Sequence, residues 1–367
     1  MLPMKRYLSL DILRGLTVAL MIMVNNPGSW DCKYPPLSHA SWDGCTPCDL
    51  VFPFFLFCVG VSMVFALAKF PGLTKDAVKK IFKRGILLYL VGLGLSAYPF
   101  FPLRTDPELS FWQNWIHWAG HVRVLGVLPR IAICYVLASI LVLSLKNTKR
   151  LIGVIVLFCL LHVGLLLLFA GPEGAFTLEG NFARKLDMMI LGDHIYHGYG
   201  LPFEPEGLLG VLTSTSTVLL GYVIGEQVKK NVPVEASARI FSISAGLLLG
   251  GLALSLFVPI NKPLWSASYV LYAAGWASFV FALCIYLIDV RGWEKPFFPF
   301  KALGMNALIL FVLSGLLMRT IELLTGWDHS LIFGKNEFIS LCYSVVYMIV
   351  HLIIAIILYK KKIFIKL

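Results

Sequence analysis

Charged residues are scarce in this sequence. Asp, Glu, Lys and Arg make up only 14% of the 367 residues, whereas hydrophobic residues make up 58%. A typical soluble domain carries about 25% charged residues. Because the chain has too few charges to cover a water-soluble globule, a soluble protein is excluded and several membrane-spanning segments are indicated.

The apolar stretches between the charges are long enough to cross a bilayer as helices, which takes roughly 17 to 25 residues each. The sequence also lacks internal repeats, low-complexity tracts and a linker between domains. We therefore predict an all-α polytopic membrane protein, a single domain over residues 1–367 with about ten helices in one bundle. The predicted helices are 8–26, 47–69, 81–99, 123–145, 151–170, 206–225, 238–259, 264–289, 301–323 and 338–359.

Acidic residues are even fewer than basic ones, which leaves a net charge of +11. The basic residues stand in short groups between apolar segments, as topology signals do, so a nucleic-acid partner is excluded. The positive-inside rule then predicts that both termini are cytoplasmic. The basic residues assigned to the inner side are Lys5, Arg6, Lys69, Lys75, Lys79, Lys80, Lys83, Arg84, Lys146, Lys149, Arg150, Lys229, Lys230, Arg239, Arg291, Lys295, Lys301, Lys360, Lys361, Lys362 and Lys366.

The first apolar segment lacks the small-residue cleavage site of a signal peptide, so we predict that it is retained as the first helix. It contains Asp11 and Arg14, three residues apart and hence on one helix face, where they can neutralise each other inside the bundle. Arg123 and Arg130 are separated by two turns of the predicted fourth helix. This spacing places Arg130 well inside the membrane, where it needs a counter-charge such as Asp11, or a wet cavity and a phosphate-bearing ligand.

Metal-binding patterns are incomplete. His117 and His121 have helical i,i+4 spacing, and His194 and His197 form a looser pair, but acidic or Cys partners at convincing spacing are missing. We predict no metal site.

Cysteines inside apolar segments are expected to pack as small hydrophobes. Cys32, Cys45 and Cys48 lie in or beside the first of three predicted outer loops, 27–46, 100–122 and 171–205. A disulfide among these three is left open.

The first outer loop also holds a histidine just ahead of the second helix. A neutral imidazole such as that of His39 can accept a proton from an amine or a hydroxyl near neutral pH, although a histidine satisfied by loop carbonyls has the same sequence signal. Thr46, Pro47 and Asp49 fit the Ncap, N1 and N3 positions of a helix start, so capping is the default role of Asp49.

Three further polar residues end or begin predicted helices. Asn25 closes the first helix on the outer side, and Asn306 stands near the inner end of the ninth, where it can bridge helices. Glu206 opens the sixth helix and can either cap it or hold a sugar hydroxyl or amine.

Taken in order, these residues belong to a series of short motifs that resembles the family of heparan-α-glucosaminide N-acetyltransferase. The resemblance covers nearly the whole chain. The motifs are SLDILRG at 9–15, VN at 24–25, HASWDG at 39–44, DLVFP at 49–53, RVLGVLPRIA at 123–132, EPEGLL at 204–209 and FKALGMNA at 300–307.

This resemblance implies a transmembrane acyltransferase that moves acetyl from cytoplasmic acetyl-CoA to the amino group of a glucosamine-type sugar on the outer face. His39 matches the family's catalytic histidine and Asn25 an asparagine beside it. The other matched polar residues are candidates for binding acetyl-CoA or substrate, or for scaffolding. They are Asp11, Arg14, Asp49, Arg123, Arg130, Glu206 and Asn306.

The chain starts directly at the first-helix motif, without the lumenal domain of the lysosomal enzyme, which favours a bacterial inner-membrane protein. The resemblance also implies a homodimer. His39 is expected to act as a general base or as a carrier of the acetyl group.

Two alternatives stay open. An amino-sugar transporter would suit the helices and the buried charges, but the sequence lacks the paired Gly- or Pro-broken helices of inverted-repeat transporters. An O-acetyltransferase of a cell-envelope glycan would differ only in its acceptor.

Overall fold

The computed structural model describes residues 7–102 and 106–365. Three residues counted toward the predicted inner charge, Lys5, Arg6 and Lys366, lie outside the described residues, as do residues 103–105 of the second predicted outer loop. The α-helices of the described chain are α1 Leu8–Asn25, α2 Pro47–Ala66, α3 Lys75–Ala97, α4 Phe111–Gly120, α5 Val127–Leu145, α6 Thr148–Leu168, α7 Phe182–Leu191, α8 Gly210–Lys230, α9 Pro233–Leu254, α10 Ala267–Cys284, α11 Phe298–Met305, α12 Ala307–Thr325, α13 Ser330–Phe333 and α14 Glu337–Lys360.

Eight helices of the described chain are long and apolar enough to cross a membrane. They are α1, α2, α5, α6, α9, α12, α14 and α10 together with the π-helical turn that extends it to Val290. This result confirms the prediction of an all-α polytopic membrane protein.

The other two predicted spans, 81–99 and 206–225, also fold into long helices, α3 and α8, but both are more polar than the eight. Basic residues crowd the first three turns of α3, and α8 has an unbroken run of five hydroxyl residues at 213–217. The count of ten spans therefore stays a prediction.

Three predicted helix boundaries are wrong. The fourth predicted helix starts at Val127 rather than at residue 123, because Gly126 is not helical. The sixth starts at Gly210 rather than 206. The ninth, 301–323, is two helices that meet at Asn306, whose side chain bonds the backbone of Ile363 and Ile365 instead of continuing one helix.

The second and third predicted outer loops contain short helices that begin at capping residues. Ser110 begins α4 with a capping box, in which its hydroxyl accepts from the backbone N–H of Gln113 while the Gln113 side chain accepts from the N–H of Ser110. Asn181 caps α7 by accepting from the backbone N–H of Arg184. Each of these two loops therefore contains a short helix whose first residue is fixed by a side-chain cap.

The chain divides into two compact units, which are described separately. The first unit comprises residues 7–66, 220–250 and 271–365. In it α1 packs against α2, α11, α12 and α14. A Cβ on Gly15 would lie 1.8 Å from the carbonyl oxygen of Phe300, and one on Gly304 would lie 1.9 Å from that of Asp11. The α1–α11 crossing therefore requires glycine on both helices.

The second unit comprises residues 67–102, 106–219 and 251–270. Helix α3 packs against α5 there. Trp265 is buried in this unit with a φ of +52°, a conformation rare for bulky residues, and its indole N–H donates to the Thr217 hydroxyl at 3.1 Å. The prediction of a single domain stays a prediction.

Candidate functional site

The loop that carries His39 is closed on itself ahead of α2. Gly44 takes a φ of +104°, which lets the chain turn back toward the helix. The Thr46 hydroxyl donates to the carbonyl oxygen of Ser38 at 2.7 Å, and the Ala40 N–H donates to Oδ2 of Asp49 at 3.1 Å. The segment from Ser38 to Thr46 is thus fixed at both ends.

Asp49 divides its two carboxylate oxygens between two tasks. Oδ2 accepts from the Thr46 N–H at 3.0 Å and from the Thr46 hydroxyl at 3.2 Å, in addition to the Ala40 N–H. These bonds confirm the predicted capping role, because an N3 acid reaches back to the Ncap backbone. Oδ1 lies 2.7 Å from Nδ1 of His39, so the same buried carboxylate also holds the imidazole.

The His39–Asp49 pair combines a partly exposed imidazole with a buried carboxylate. The His39 side chain is 43% exposed and that of Asp49 only 1%. A carboxylate accepts hydrogen bonds, so the network assigns the ring hydrogen to Nδ1. This is the arrangement in which a fixed imidazole serves as a base.

A third side chain completes this cluster. The sulfur of Cys48, the residue before Asp49, lies 3.4 Å from Nδ1 and 3.9 Å from Nε2 of His39. In the sequence, Cys48 was considered only as one of three cysteines that could form a disulfide. Its adjacency to Asp49 was the sequence signal for a place in this cluster, whereas the folding of the loop back onto the start of α2 is visible only in the structure.

Asn25 is the last residue of α1 and is exposed. The neighbouring Asn26 is tied to α1, since its amide donates to the carbonyl oxygen of Ile22 at 2.8 Å. The role predicted for Asn25 stays a prediction.

Asp11 and Arg14 form the predicted ion pair, with Nη1 3.4 Å from Oδ1. The Arg14 guanidinium also donates to the Ser62 hydroxyl at 2.5 Å and to the carbonyl oxygen of Gly304 at 3.4 Å. Its hydrogen bonds thus link α1, α2 and α11 in the first unit.

The second unit holds a separate cluster of charges. Arg123, in the segment before α5, binds two buried carboxylates: its Nε donates to Oε2 of Glu204 at 2.8 Å and its Nη2 contacts both Glu204 and Glu206. Glu206 thus contacts an arginine and lies ahead of the first residue of α8, Gly210. Of the two alternatives predicted for Glu206, a helix cap or a ligand of a sugar hydroxyl or amine, the sugar contact stays a prediction. Glu204 was missed as a site residue although it stands in the same EPEGLL motif.

The charges in this cluster shift each other's pKa values. Burial opposes ionisation of Glu206, but Arg123, Arg130 and Lys262 outweigh it and hold the pKa of Glu206 below its usual range. Burial keeps the pKa of Glu204 above its usual range despite the bonds from Arg123. Burial also lowers the pKa of Arg123, and the two glutamates more than reverse this effect.

Arg130 lies in the first turn of α5, not two turns into the membrane from Arg123 as predicted, because the helix begins at Val127. The side chain is 1% exposed. It donates to the carbonyl oxygen of Gly207 at 2.6 Å and to the Ser214 hydroxyl at 3.1 Å, and its guanidinium lies 5.3 Å from the ring centroid of Trp265. The three observed partners of Arg130 are thus a backbone carbonyl, a hydroxyl and the face of an aromatic ring, all of which are uncharged.

Asp187 of α7 lies beside the same turn. Its Oδ1 accepts from the Leu208 N–H at 2.8 Å, while its buried Oδ2 has no hydrogen-bond partner. Burial raises the pKa of Asp187 to about 7, although the Leu208 N–H and Arg130 act in the opposite direction. This residue was also missed in the sequence analysis.

The histidine pairs and cysteines have local explanations. The rings of His117 and His121 stack at 4.3 Å, and Nδ1 of His121 bonds the carbonyl oxygen of His117 at 2.7 Å. All eight cysteines lie within the described residues, and none of them forms a disulfide there. Within the described residues, Glu322, Asp328 and His329 bring potential cation ligands within 4.8 Å of one another, but Glu322 already bonds His329 and Asp328 accepts from the Ser330 N–H.

Comparison with known proteins finds similarity to one family of enzymes. Residues 6–174 match the family model described as heparan-alpha-glucosaminide N-acetyltransferase, catalytic. Over 98% of its length the chain is 27% identical to the human protein named heparan-alpha-glucosaminide N-acetyltransferase, and over 96% it is 28% identical to the mouse protein of that name. The chain is thus similar to this family over nearly its whole length.

The match covers only part of the relatives. The aligned region spans 59% of the human and of the mouse heparan-alpha-glucosaminide N-acetyltransferase. The part matched by the family model includes the His39–Cys48–Asp49 cluster as well as Arg123 and Arg130, whereas Glu204 and Glu206 lie beyond residue 174.

Proposed function

We propose that this protein is a membrane N-acetyltransferase that moves acetyl from cytoplasmic acetyl-CoA to the amino group of a glucosamine-type sugar on the outer face. The observation that carries the proposal is the exposed His39 ring, whose Nδ1 is held by buried Asp49. An imidazole fixed in this way can exchange protons through Nε2 without losing its orientation.

His39 acts in this proposal as a base or as the acetyl carrier. As a base, Nε2 takes a proton from the amine while nitrogen attacks the acetyl carbonyl. As a carrier, Nε2 itself receives the acetyl group before the amine does. Asn25, at the outer end of α1, is proposed to polarise the carbonyl or to hold the ring.

The relatives' names supply the acceptor class, since they describe acetylation of the nitrogen of a glucosaminide. Acetyl-CoA as the donor is what the family resemblance implies, and in the predicted topology basic residues on the inner side can attract its phosphates. In keeping with the sequence prediction, we propose a bacterial inner membrane as the site of action.

The remaining predicted binding residues fall into two groups according to their observed contacts, one structural and one still proposed to bind a ligand. Asp11 and Arg14 neutralise each other, and Arg123 is already bound to Glu206. Asn306 holds the C-terminal tail at Ile363 and Ile365. We assign scaffolding to these five residues because their polar groups are engaged within the chain. A binding role for Arg130 stays a proposal.

The test uses purified full-length protein in liposomes with labelled acetyl-CoA and glucosamine as acceptor. We expect an alkali-stable acetylated amine, and a kcat about 10²–10⁴-fold lower for His39→Ala, the range typical of a lost general base. The matched control is His121→Ala, which removes an exposed histidine bonded to the backbone of its own helix, and which should keep full activity.

Other outcomes assign a different function. Transport of glucosamine across the liposome membrane without acetyl-CoA turnover would overturn the enzyme proposal in favour of a transporter. An alkali-labile product formed from a hydroxyl acceptor would retain acyl transfer and change the acceptor.

A further inference from the structure

A shallow groove lies in the first unit, where the last turn of α1, the first outer loop and the start of α14 meet. In the predicted topology this is the outer side of the membrane. The residues that line the groove include Val24, Pro27, Tyr34, Leu37, Glu337 and Ser340. We call it the outer groove.

The outer groove lies beside the proposed catalytic residues along the chain. Val24 and Pro27 stand on either side of Asn25 in the sequence, and Leu37 stands two residues before His39. Because two residues of extended chain span roughly 7 Å at most, the wall of the groove at Leu37 lies close to the backbone of His39. A ligand held in the groove is therefore near the residues proposed to act on the amine.

We propose that the outer groove binds the acceptor as an amino sugar, with Glu337 attracting its protonated amine and Tyr34 packing against its ring. This inference rests on the proposed acetyltransferase function and deepens it. It assigns recognition of the acceptor to two residues that the sequence analysis did not select as site residues.

The charges at the outer groove suit a cation. Glu337 is exposed, and its carboxylate has no hydrogen-bond or ion-pair partner among residues 7–102 and 106–365. The basic residue that lines the groove, Lys33, holds its Nζ 4.5 Å over the ring of Trp30. The carboxylate of Glu337 is thus available to a ligand that carries a positive charge.

The aromatic side chains suit a sugar ring. Tyr34 in the groove is 37% exposed, and Trp30, which the groove residue Lys33 contacts, is 63% exposed. One face of a pyranose ring presents mainly C–H groups, which pack on an aromatic ring while the hydroxyls point away to polar partners. A carboxylate next to exposed aromatic rings therefore favours an amino sugar over a simple amine or a neutral sugar.

Hydrogen bonds and close packing fix the walls of the outer groove. The Ser29 N–H donates to the Ser340 hydroxyl at 3.2 Å, and the Cys32 thiol donates to the carbonyl oxygen of Gly334 at 3.1 Å. A Cβ on Gly28 would lie 2.8 Å from the Cα of Ser340, so the loop also packs closely on α14. A groove whose walls are already in place binds its ligand at a lower entropic cost.

Glu337 also has a structural role to separate from binding. It is the first residue of α14, where an acidic side chain stabilises a helix through the helix dipole. A residue with this role alone would change the melting temperature and leave the affinity for the acceptor unchanged. The experiment therefore measures both quantities on the same samples.

The first measurement is equilibrium binding of labelled glucosamine to purified full-length protein in detergent, without acetyl-CoA. We expect Glu337→Gln to weaken this binding about 3- to 10-fold. Added salt should weaken glucosamine binding to the wild type and have little effect on the variant. N-acetylglucosamine, which is uncharged, should bind equally to both proteins.

Variants of Tyr34 test the contact with the sugar ring. Tyr34→Ala should weaken the binding of both glucosamine and N-acetylglucosamine about 3- to 10-fold, whereas Tyr34→Phe should retain it. The matched control for charge is Glu108→Gln, which alters an exposed glutamate of the second predicted outer loop that does not line the groove.

Steady-state kinetics give the second readout. In Glu337→Gln the KM for glucosamine should rise by the same factor as the binding constant, with kcat and the KM for acetyl-CoA nearly unchanged. Glucosamine binding to Glu337→Gln at wild-type affinity would overturn the inference, and so would a lower melting temperature without any change in affinity.

Failure of the groove and failure of the proposed function give different results. If Glu337→Gln and Tyr34→Ala bind and acetylate glucosamine as the wild type does, the acetyltransferase function stands and the groove does not bind the acceptor. If the wild type forms no acetylated product while Glu337→Gln still weakens glucosamine binding, the function is overturned and the groove remains an amino-sugar site.

Discussion

The protein has two clusters of polar residues that differ in exposure and in the kind of contacts they make. In the first unit His39 is open to its surroundings on one side and held by buried Asp49 on the other. In the second unit Arg123, Glu204 and Glu206 are joined to one another by ion pairs, with both carboxylates buried. The first cluster presents a partly exposed imidazole, whereas the second cluster pairs its charges with one another.

The exposure and contacts of the two clusters distinguish a proposed catalytic cluster from a structural one more clearly than their residue types do. Both clusters contain charged or titratable groups in motifs typical of the family, and the sequence analysis assigned binding roles within both. Only the contacts distinguish them, because a charge that is already neutralised at close range has little left for a ligand. Mutations at the two clusters should therefore affect different measurements.

The largest expected effect is on catalysis at the first cluster. Asp49→Asn retains one oxygen to cap α2 but places an amide N–H₂ where Oδ1 now accepts from His39. The ring should then lose the tautomer that leaves Nε2 as acceptor. We expect kcat to fall about 10²–10⁴-fold with little change in KM or in melting temperature. Acetyl-transfer kinetics and thermal unfolding of the same sample check this.

Asp49→Ala is the companion variant, since it removes both the contact with His39 and the cap of α2. It should lose activity and also about 1 kcal/mol of stability. If Asp49→Asn remained fully active, His39 would not depend on Asp49 for its orientation.

A smaller effect, on stability rather than on chemistry, is expected at the second cluster. Arg123→Met leaves Glu204 and Glu206 buried without their counter-charge, a change that typically destabilises a protein by about 3–5 kcal/mol. Thermal unfolding should show a lower melting temperature, whereas the kcat of the folded fraction should be nearly unchanged.

The pH dependence sharpens this test. In the wild type, the lowered pKa of Glu206 stabilises the fold above the unfolded-state pKa, and this contribution is lost as the pH falls through the folded-state pKa. In Arg123→Met, burial should raise the folded-state pKa of Glu206. The loss of stability relative to the wild type should therefore be larger at pH 8 than at pH 5. An unchanged melting temperature with a raised KM for acetyl-CoA would instead make Arg123 a ligand-binding residue.

The smallest expected effect concerns Asp187 in the second unit. Because burial raises its folded-state pKa to about 7, its stabilising contribution is complete below the unfolded-state pKa and is lost as the pH rises toward 7. Asp187→Asn cannot ionise and retains an acceptor for the Leu208 N–H. Relative to this variant, the wild type should lose about 2–3 kcal/mol between pH 5 and pH 8, measured by thermal unfolding. If the stabilities of the wild type and of Asp187→Asn changed in parallel with pH, the raised pKa of Asp187 would be contradicted.

The helical membrane architecture could be predicted from composition because hydrocarbon leaves few structures available to a long apolar chain. The helix boundaries were harder to predict from the sequence. Helix α5 begins after Gly126, and the predicted ninth helix breaks at Asn306, whose partners lie in the distant C-terminal tail. Short outer helices such as α4 and α7 were not predicted, because each depends on a cap and a few turns rather than on a long apolar period.

The sequence alone indicated the family resemblance and the residues around which chemistry is expected, because local motifs such as HASWDG, DLVFP and EPEGLL can be recognised without a fold. It also determined the capping role of Asp49, which depends on neighbours three residues away. Only the tertiary structure decided that the same carboxylate holds His39, that the Cys48 sulfur lies against that ring, and that Glu204 and Glu206 share Arg123. These contacts depend on how loops fold back in space, and a one-dimensional pattern of polar and apolar residues does not specify such distances.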